Sequence, residues 1–503
     1  MLSVALVLAL QQASTGGPVD ADTRAWWQRT SVLSADSMEG RDAGSRGYER
    51  AARHVVRWLA AAGVKPIGDG GSWYQWVPME EVAVTHARLD VGGRPLRFLH
   101  DFTTLRGQAV PAALDGPLAY RGYCGADALG DVRGKLVICH AARRPGLPTD
   151  EQRRAALHQA GASGMIAIAD PGFTVEPPRW PAAYARSVTL AGGTPTAAAS
   201  TPAPGPGFVT LSLRAGALRT VLAEGEQDAD SLIAAGSAGR PLPSFDLHDR
   251  LRATFTTARR TLRSPNIVGI LPGTDPTKVD EGIVLTAHLD GYGYGTAVDG
   301  DSLYNGTLDD AAYVALIVRL LEQRGGKGYR RPVIVAIVTG EEKGLLGSRW
   351  LIAHLPVPRA RIAADINLDQ LRPLFPLELL TVHALDDTSL GDDARAVAES
   401  LGIAVQHDPE PERGLLQRTD HWPFLQAGIP ATNFVFGYRP GTESERIYRQ
   451  WYREGYHTPK DDLRQRIDWK AAADFNRFYS ALVARVAGQD AAPRWKDGSP
   501  LRR

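Results

Sequence analysis

Two histidines and three acidic residues in the second half of this 503-residue sequence could hold divalent metal ions. Each lies at the end of a predicted strand or in a connecting loop, and in an α/β sheet the carboxyl ends of the strands form the edge where ligands bind. Imidazole suits zinc, and carboxylates can bridge two ions. Two ions about 3.5–4 Å apart can activate a water molecule and polarise a carbonyl group together. The candidate metal ligands are His288, Asp309, Glu342, Asp369 and His421.

The prediction rests on the whole set of candidate ligands and not on any single one. A histidine at a strand end is more often a structural or surface residue, and a pair of adjacent glutamates is usually solvated charge. The improbable observation is that all five residues lie at strand or loop ends within one domain. Together they predict a two-metal hydrolytic site.

The sequence after Pro265 alternates between short apolar runs and segments with helical periodicity. Such runs are typical of strands buried on both faces, and strands that alternate with helices predict an α/β sheet covered by helices. We therefore expect a mixed, mostly parallel sheet flanked by helices. The predicted strands are residues 283–287, 333–338, 363–368 and 430–436, and the predicted helices are residues 311–324 and 345–354.

Two regions precede this sheet. From Asp22 to about Leu59 the pattern is helical, with one polar turn. Residues 105–250 are rich in proline, glycine and alanine and contain short β-type runs, which predicts a small, separate, strand-rich insert. The predicted divisions are a leader at 1–20, the first part of the main domain at 21–104, the insert at 105–250, the main domain proper at 251–490 and a tail at 491–503.

The N-terminus and the composition indicate where the protein acts. Residues 1–10 are apolar but too few to span a bilayer, which is typical of a signal-peptide core, so we expect a secreted or periplasmic protein with no integral membrane segment. The sequence has 57 basic and 56 acidic side chains, and the basic residues do not form a run. This argues against a nucleic-acid partner. Cys124 and Cys139 are either a disulfide or two small buried side chains.

The order of the motifs around the candidate ligands resembles peptidase family M28, the co-catalytic zinc peptidases. The resemblance covers nearly the whole chain after the leader and implies a zinc-exopeptidase fold. The insert is similar to a protease-associated (PA) domain through residues 131–137 and 160–164. The family motifs are M-E-G-R at 38–41 with G-S-x-G at 44–47, H-x-D at 288–290, G-x-x-D at 306–309, G-E-E-x-G-L-x-G-S at 340–348, N-L-D at 367–369, D-H-x-P-F at 420–424 and Y-H-T-P-x-D at 456–461.

The resemblance implies a role for each candidate ligand. Asp309 would bridge two zinc ions. His288 and Asp369 would complete one site, and Glu342 and His421 would complete the other. Manganese or cobalt could replace zinc in such a carboxylate-rich site.

The resemblance also implies catalytic residues beside the metals. Glu341 would be the general base, which takes a proton from the attacking water and returns it to the leaving amine. Asp290 would accept a hydrogen bond from His288 and so fix the tautomer of that histidine. Tyr456 or His457 would stabilise the oxyanion, although both could equally serve packing and a loop hydrogen bond.

The sequence departs from the family pattern directly after Asp309. Asp310 stands where the family usually has asparagine and adds negative charge near the metals, and Tyr313 stands where glycine is usual. The resemblance also implies a cis peptide bond between Asp309 and Asp310, a feature of strained functional sites.

The leading hypothesis is an aminopeptidase acting on peptides, whose carboxylates attract the substrate α-amine. A carboxypeptidase or dipeptidase stays open, because Arg413, Arg418 or Arg439 could bind a substrate carboxylate. A glutaminyl cyclase-like acyl transferase and a non-catalytic, receptor-like peptide-binding relative are further alternatives, and the complete ligand set argues against both. The sequence does not indicate an oligomeric state.

Overall fold

The computed structural model describes residues 19–105, 108–142, 144, 146–170, 182–192, 207–369 and 372–502, so the predicted leader lies almost entirely outside the described residues. The strands are β1 Lys65–Pro66, β2 Tyr74–Val91, β3 Arg94–Leu96, β4 Phe102–Thr104, β5 Ala113–Arg121, β6 Leu136–His140, β7 Gly164–Ile168, β8 Arg186–Leu190, β9 Val209–Leu213, β10 Ser244–Leu271, β11 Gly282–His288, β12 Gly293–Val298, β13 Asp301–Tyr304, β14 Val333–Val338, β15 Ile362–Asn367, β16 Leu379–Val382, β17 Ala404–Gln406, β18 Ala431–Thr432 and β19 Phe434–Phe436. The helices are α1 Ala21–Leu33, α2 Arg46–Ala61, α3 Asp150–Gln159, α4 Leu218–Val221, α5 Ala229–Ser237, α6 Ala312–Arg324, α7 Leu346–Ala353, α8 Ser389–Ser400, α9 His421–Gln426, α10 Glu443–Glu454 and α11 Trp469–Gly488.

The second half of the chain forms the sheet that the sequence predicts. Strands β18, β15, β11 and β14 lie side by side in parallel, and β10 is antiparallel to β14. Every residue of β11 and β14 is buried. Ile283 and Leu285 of β11 belong to a core built with α1, α2, α6 and α11, whereas Val284 belongs to a core on the other face with α7 and α9. Alternate side chains therefore point to opposite, helix-covered faces.

The apolar run at 430–436 is two short strands and not one. Strand β18 extends the large sheet beside β15, while β19 pairs with β16 in a separate three-stranded sheet. Asn433 lies between them, and its Nδ2 donates hydrogen bonds to Asn367 Oδ1 at 2.6 Å and to Thr419 Oγ1 at 2.8 Å. A buried polar residue that must satisfy these partners interrupts the strand.

The insert has its own apolar core but shares a sheet with the rest of the chain. Strands β5, β6, β7 and β9 are parallel, and β5 joins the large sheet through β10. The 28-residue β10 also pairs with β2 from Leu251↔Val91 to Ile267↔Tyr74. Residues from both sides of the predicted 105–250 range enter this core: Val84, Leu89, Val91, Leu96, Phe102, Leu251, Ala253 and Phe255.

Two further expectations concern the insert and the membrane. Cys124 and Cys139 form a disulfide with a Cα–Cα distance of 5.6 Å, which selects one of the two alternatives that the sequence left open. Within the described residues, no helix combines the length and the apolar character needed to cross a membrane.

Candidate metal centre

The carboxyl edge of the large sheet presents the side chains that could bind metal ions. His288 is the last residue of β11, and Asp369 follows β15 by two residues. Glu342 lies in a 3₁₀ turn, Glu341–Lys343, shortly after β14. Asp309 lies in the π turn Thr307–Ala311 that leads into α6. Neighbouring parallel strands therefore bring side chains from separate parts of the sequence to one edge of the sheet.

Among the residues that the structure describes, two groups of side chains place their ligand atoms within 4.8 Å of one another. The first contains His288, Asp309 and Asp369, and the second contains Asp309, Glu342 and His457. Asp309 Oδ1 lies 3.3 Å from His288 Nε2, whereas Asp309 Oδ2 lies 3.3 Å from His457 Nε2. The two oxygens of one carboxylate therefore serve different groups.

His421 belongs to neither group, so the side chains that the structure brings together differ from the ligand set expected from the sequence. It is fully buried at the start of α9, its Nδ1 lies 2.5 Å from Thr419 Oγ1, and its ring stacks on that of His383 at 5.8 Å. His457, expected as an oxyanion residue, occupies the position in the second group, where its Nε2 lies 3.6 Å from Glu342 Oε2. His421 is thus a buried residue whose contacts are with Thr419 and His383.

The backbone around Asp309 is held by residues distant in sequence. Gly306 adopts a φ of +60°, and a Cβ there would lie 2.4 Å from the carbonyl oxygen of Asp309, so only glycine fits. The Asp461 carboxylate accepts hydrogen bonds from the backbone N–H groups of Leu308 at 2.9 Å and Asp309 at 3.0 Å. The Asp309–Asp310 peptide bond is cis, as expected.

Arg41, from the M-E-G-R motif, also holds the turn that contains Asp309. Its guanidinium is fully buried and donates hydrogen bonds to the carbonyl groups of Asn305 at 2.6 Å, Gly306 at 2.7 Å and Leu289 at 2.8 Å. Burial lowers the pKa of Arg41, while nearby carboxylates oppose that shift. The N-terminal segment is thus part of the structure that holds the turn containing Asp309.

Asp310 does not join either ligand group. Its Oδ2 accepts a hydrogen bond from the backbone N–H of His288 at 3.1 Å. Burial raises the pKa of Asp310 well above its ordinary value, and the carboxylates of Asp369 and Asp309 raise it further. The unusual aspartate is therefore a backbone acceptor next to the site.

Glu341 and Asp290 lie beside the first group. Glu341 Oε2 is 3.9 Å from His288 Nε2, and the Glu341 backbone N–H donates to Asp290 Oδ1 at 3.1 Å. His288 Nδ1 lies 3.0 Å from the carbonyl oxygen of Asp290 and 3.8 Å from its carboxylate, so the carbonyl makes the contact expected of the side chain. Burial raises the pKa of Asp290 to about 6. Asp290 therefore positions Glu341 through its carboxylate and His288 through its backbone.

Tyr456 and two arginines, Arg418 and Arg372, lie near the second group. The Tyr456 and His457 rings stack with centroids 3.5 Å apart, and Arg418 donates to the Tyr456 hydroxyl at 3.4 Å. Arg372 is buried, its guanidinium carbon lies 4.4 Å from the centre of the Trp451 ring, and its Nη2 lies 3.7 Å from Asp309 Oδ2. Arg372 was not singled out in the sequence because the strand pattern ends before it.

The donor set fits divalent metal ions. It consists of imidazole nitrogens and carboxylate oxygens, the ligands of zinc, with one carboxylate shared. Burial raises the pKa of Glu341 well above its ordinary value, and the carboxylates of Asp369 and Glu342 add to the shift. Burial also raises the pKa of Asp420 to about 7. Buried negative charge at this density favours the binding of cations.

The segment that carries both ligand groups has known relatives. Residues 266–483 match the model of peptidase family M28. This segment belongs to peptidase family M28. Aminopeptidase YwaD from Bacillus subtilis (strain 168) is 26% identical over 237 residues, which are 46% of this chain and 46% of that relative. The match thus spans about half the length of the curated relative.

Solved structures extend the likeness beyond the M28 segment. A zinc aminopeptidase from Bacillus subtilis is 18% identical with a TM-score of 0.62, and the match covers 97% of this chain and 100% of that one. The aminopeptidase from Aneurinibacillus sp. strain AM-1 is 17% identical with a TM-score of 0.60, over 93% and 95% of the two chains. At these identities the likeness shows the fold, which is that of M28 aminopeptidase structures.

Two tyrosines that were not predicted from the sequence contact His457 of the second group. The Tyr184 hydroxyl lies 2.8 Å from His457 Nδ1, and the Tyr292 hydroxyl lies 3.2 Å from the same atom. Tyr292 follows the H-x-D motif by two residues, so its proximity to the site was a usable signal. Tyr184 belongs to the insert, outside the M28 segment, and no local pattern marks it.

Proposed function

We propose that this M28 protein is a two-zinc aminopeptidase. The observation that supports the proposal best is the position of Asp309, whose two carboxylate oxygens face one histidine each, His288 and His457. A carboxylate shared between two imidazole-containing groups suits a pair of divalent ions, because a carboxylate can bridge two metals. The family match and the aminopeptidase relatives support the reaction class.

The proposed ligands follow from the two groups. His288 and Asp369 would hold one ion, Glu342 and His457 the other, and Asp309 both. When bound, the ions would supply Lewis-acid polarisation of the scissile carbonyl and a lowered pKa for water. Manganese or cobalt could serve in place of zinc at this donor set.

Glu341 is the proposed general base. It lies next to the first group, and its backbone is fixed by Asp290, so its carboxylate is held at the edge of the site. Its pKa is raised by burial and by neighbouring carboxylates, which suits a group that must accept a proton from water and then release it to the leaving amine near neutral pH.

Tyr456 is the proposed oxyanion donor. It is buried beside His457, and its hydroxyl oxygen accepts a hydrogen bond from Arg418. A hydrogen bond that strengthens as negative charge develops on the substrate oxygen stabilises the transition state.

The second candidate is a carboxypeptidase or dipeptidase. Of the three arginines considered from the sequence, Arg418 contacts a proposed catalytic residue, Tyr456. Arg413 is buried against Tyr448, and Arg439 is exposed. Arg418 could therefore bind a substrate carboxylate near Tyr456.

The test is mass spectrometry of a peptide library digested by the purified protein. We expect residues to be lost singly from the N-terminus, with loss of activity after chelation or in Glu341→Gln. Glu399→Gln, which alters an exposed carboxylate on α8, is the matched control and should remain active. Loss of residues from the C-terminus would favour the second candidate, and absence of cleavage by zinc-loaded protein would reject the peptidase proposal.

We also propose that the protein is exported to an oxidising compartment. The apolar N-terminus and the Cys124–Cys139 disulfide support this, since disulfides persist in the periplasm and outside the cell. Fractionation of the producing cells should recover the protein outside the cytoplasm with no free thiol. A cytoplasmic pool with two free thiols would contradict the proposal.

A further inference from the structure

His457 presents its two ring nitrogens to different partners. Its Nε2 faces the proposed second metal group, at 3.3 Å from Asp309 Oδ2 and 3.6 Å from Glu342 Oε2. Its Nδ1 lies 2.8 Å from the hydroxyl of Tyr184. A histidine that offers Nε2 to a metal ion keeps its proton on Nδ1, and a hydrogen bond from that N–H fixes the tautomer and the ring orientation.

Tyr184 is the better placed of two candidate partners for Nδ1. The Tyr292 hydroxyl lies 3.2 Å from Nδ1 but also 3.4 Å from Nε2. Because the two N–H directions of an imidazole diverge, an atom nearly equidistant from both nitrogens is aligned with neither. Tyr292 instead packs its ring edge-on against both His457 and Tyr184.

The insert is fastened to the metal-binding segment next to Tyr184. Tyr184 lies in the 3₁₀ turn Ala182–Ala185, which leads directly into β8. Asp42 forms two ion pairs here. Its Oδ2 lies 2.7 Å from Nη1 of Arg186, the first residue of β8, and its Oδ1 lies 3.1 Å from Lys343 Nζ. All three side chains are largely buried, so the ion pairs are screened little and hold the turn in register.

We propose that Tyr184 of the insert is a positioning residue for His457, so that the insert completes the second metal site. This inference rests on the proposed function, because it assigns His457 to that site. The Tyr184 hydroxyl oxygen accepts the hydrogen bond from Nδ1–H, and Nε2 is thereby directed at the position between Asp309 and Glu342. The insert then contributes to metal affinity.

The test is zinc binding by the full-length protein with Tyr184→Phe, which removes only the hydroxyl. The two zinc dissociation constants are measured by competition with a chromogenic chelator, and the visible spectrum of the Co²⁺-substituted protein is recorded. We expect one constant to rise about 10- to 100-fold, the other to stay unchanged, and the cobalt spectrum to change. The thermal unfolding of the metal-free protein should match that of the wild type.

Tyr123→Phe is the matched control within the insert. The Tyr123 hydroxyl donates to the carbonyl groups of Arg240 at 2.8 Å and Gly236 at 3.2 Å, away from the metal groups. We expect both zinc constants and the cobalt spectrum of this variant to equal those of the wild type.

The outcomes separate the two proposals. If Tyr184→Phe binds two zinc ions with unchanged constants and an unchanged cobalt spectrum, the role of Tyr184 is rejected and the proposed function stands. If both constants rise equally and the metal-free protein unfolds at a lower temperature, Tyr184 is structural and the inference is also rejected. A wild-type protein that binds no zinc would reject the proposed function itself.

Discussion

The carboxylate of Asp461 accepts a hydrogen bond from the backbone N–H of Asp309 at 3.0 Å. A second bond, from the N–H of Leu308 at 2.9 Å, goes to the other oxygen of the same carboxylate. Both donors are buried, and buried backbone N–H groups must be paired. Asp461, from the last motif of the sequence, therefore fixes the turn that carries the proposed bridging residue.

Replacing Asp461 by asparagine should disturb this turn. The amide group of Asp461→Asn can accept only one of the two bonds, and the unpaired N–H should lower the free energy of unfolding by about 1–3 kcal/mol. We expect kcat/KM for a peptide substrate to fall at least about tenfold, since the position of Asp309 changes. Asp462→Asn is the control, because that carboxylate contacts Arg464 and not the turn. Equal activity of Asp461→Asn and wild type would contradict the argument.

Substitution of two histidines should distinguish the ligand from the packing residue. His457→Ala should bind one zinc ion in place of two, because it removes a proposed ligand of the second group. His421→Gln should retain two zinc ions but unfold more readily, since His421 is buried outside both groups. Zinc content after dialysis, measured by atomic emission, checks both expectations. Loss of zinc in His421→Gln alone would restore the assignment made from the sequence.

Arg41 should contribute strongly to stability although it lies outside the M28 segment. Arg41→Met leaves the carbonyl groups of Asn305, Gly306 and Leu289 without their donor, and we expect a loss of more than about 3 kcal/mol in urea unfolding of the metal-free protein. Arg50→Met is the control, because Arg50 is partly exposed and pairs with Glu39 at the surface. Its effect should stay below about 1 kcal/mol.

Asp365 should make the stability of the metal-free protein depend on pH. It is fully buried in β15, and burial raises its pKa well above the ordinary value of 3.8. In the folded state the proton is retained, so the stability associated with Asp365 is complete below pH 3.8 and is lost as the pH rises through the folded pKa. Asp365→Asn cannot ionise, and its free energy of unfolding relative to wild type should therefore increase with pH.

Asp275 is a control for that experiment, because its pKa is shifted in the opposite direction from that of Asp365. Hydrogen bonds from Thr277 and Arg330 lower its pKa to about 2, so its stabilising effect is present above pH 3.8 and is lost as the pH falls through about 2. Well above pH 3.8, Asp275→Asn should differ from wild type by an amount that does not change with pH. If Asp365→Asn also differs by a constant amount, Asp365 is ionised in the folded protein and the argument fails.

The sequence was most informative where burial and periodicity act locally. The strand predicted at 333–338 matches β14 residue for residue, and those predicted at 283–287 and 363–368 are displaced by at most one residue at either end. Four of the five candidate ligands meet in the structure because parallel strands bring their carboxyl ends together. These features depend on pattern and topology, which a sequence expresses directly.

The remaining features depend on contacts between distant segments. His457 follows no strand, and it reaches the site because the segment after α10 returns to the sheet edge. Tyr184 contacts His457 across 273 positions of sequence. The apolar run at 430–436 divides at Asn433, whose partners Asn367 and Thr419 lie elsewhere in the chain. Local periodicity contains no information on such pairings.

The 28-residue strand β10 couples the stability of the insert core to that of the core around the large sheet. Its first half pairs with β5 of the insert, and its last residues pair with β14 of the peptidase sheet. Loss of either core would leave part of this one strand without hydrogen-bonded neighbours. We therefore expect the insert and the large sheet to unfold in one cooperative transition, and a ligand bound at the candidate metal centre to protect the insert from proteolysis as well.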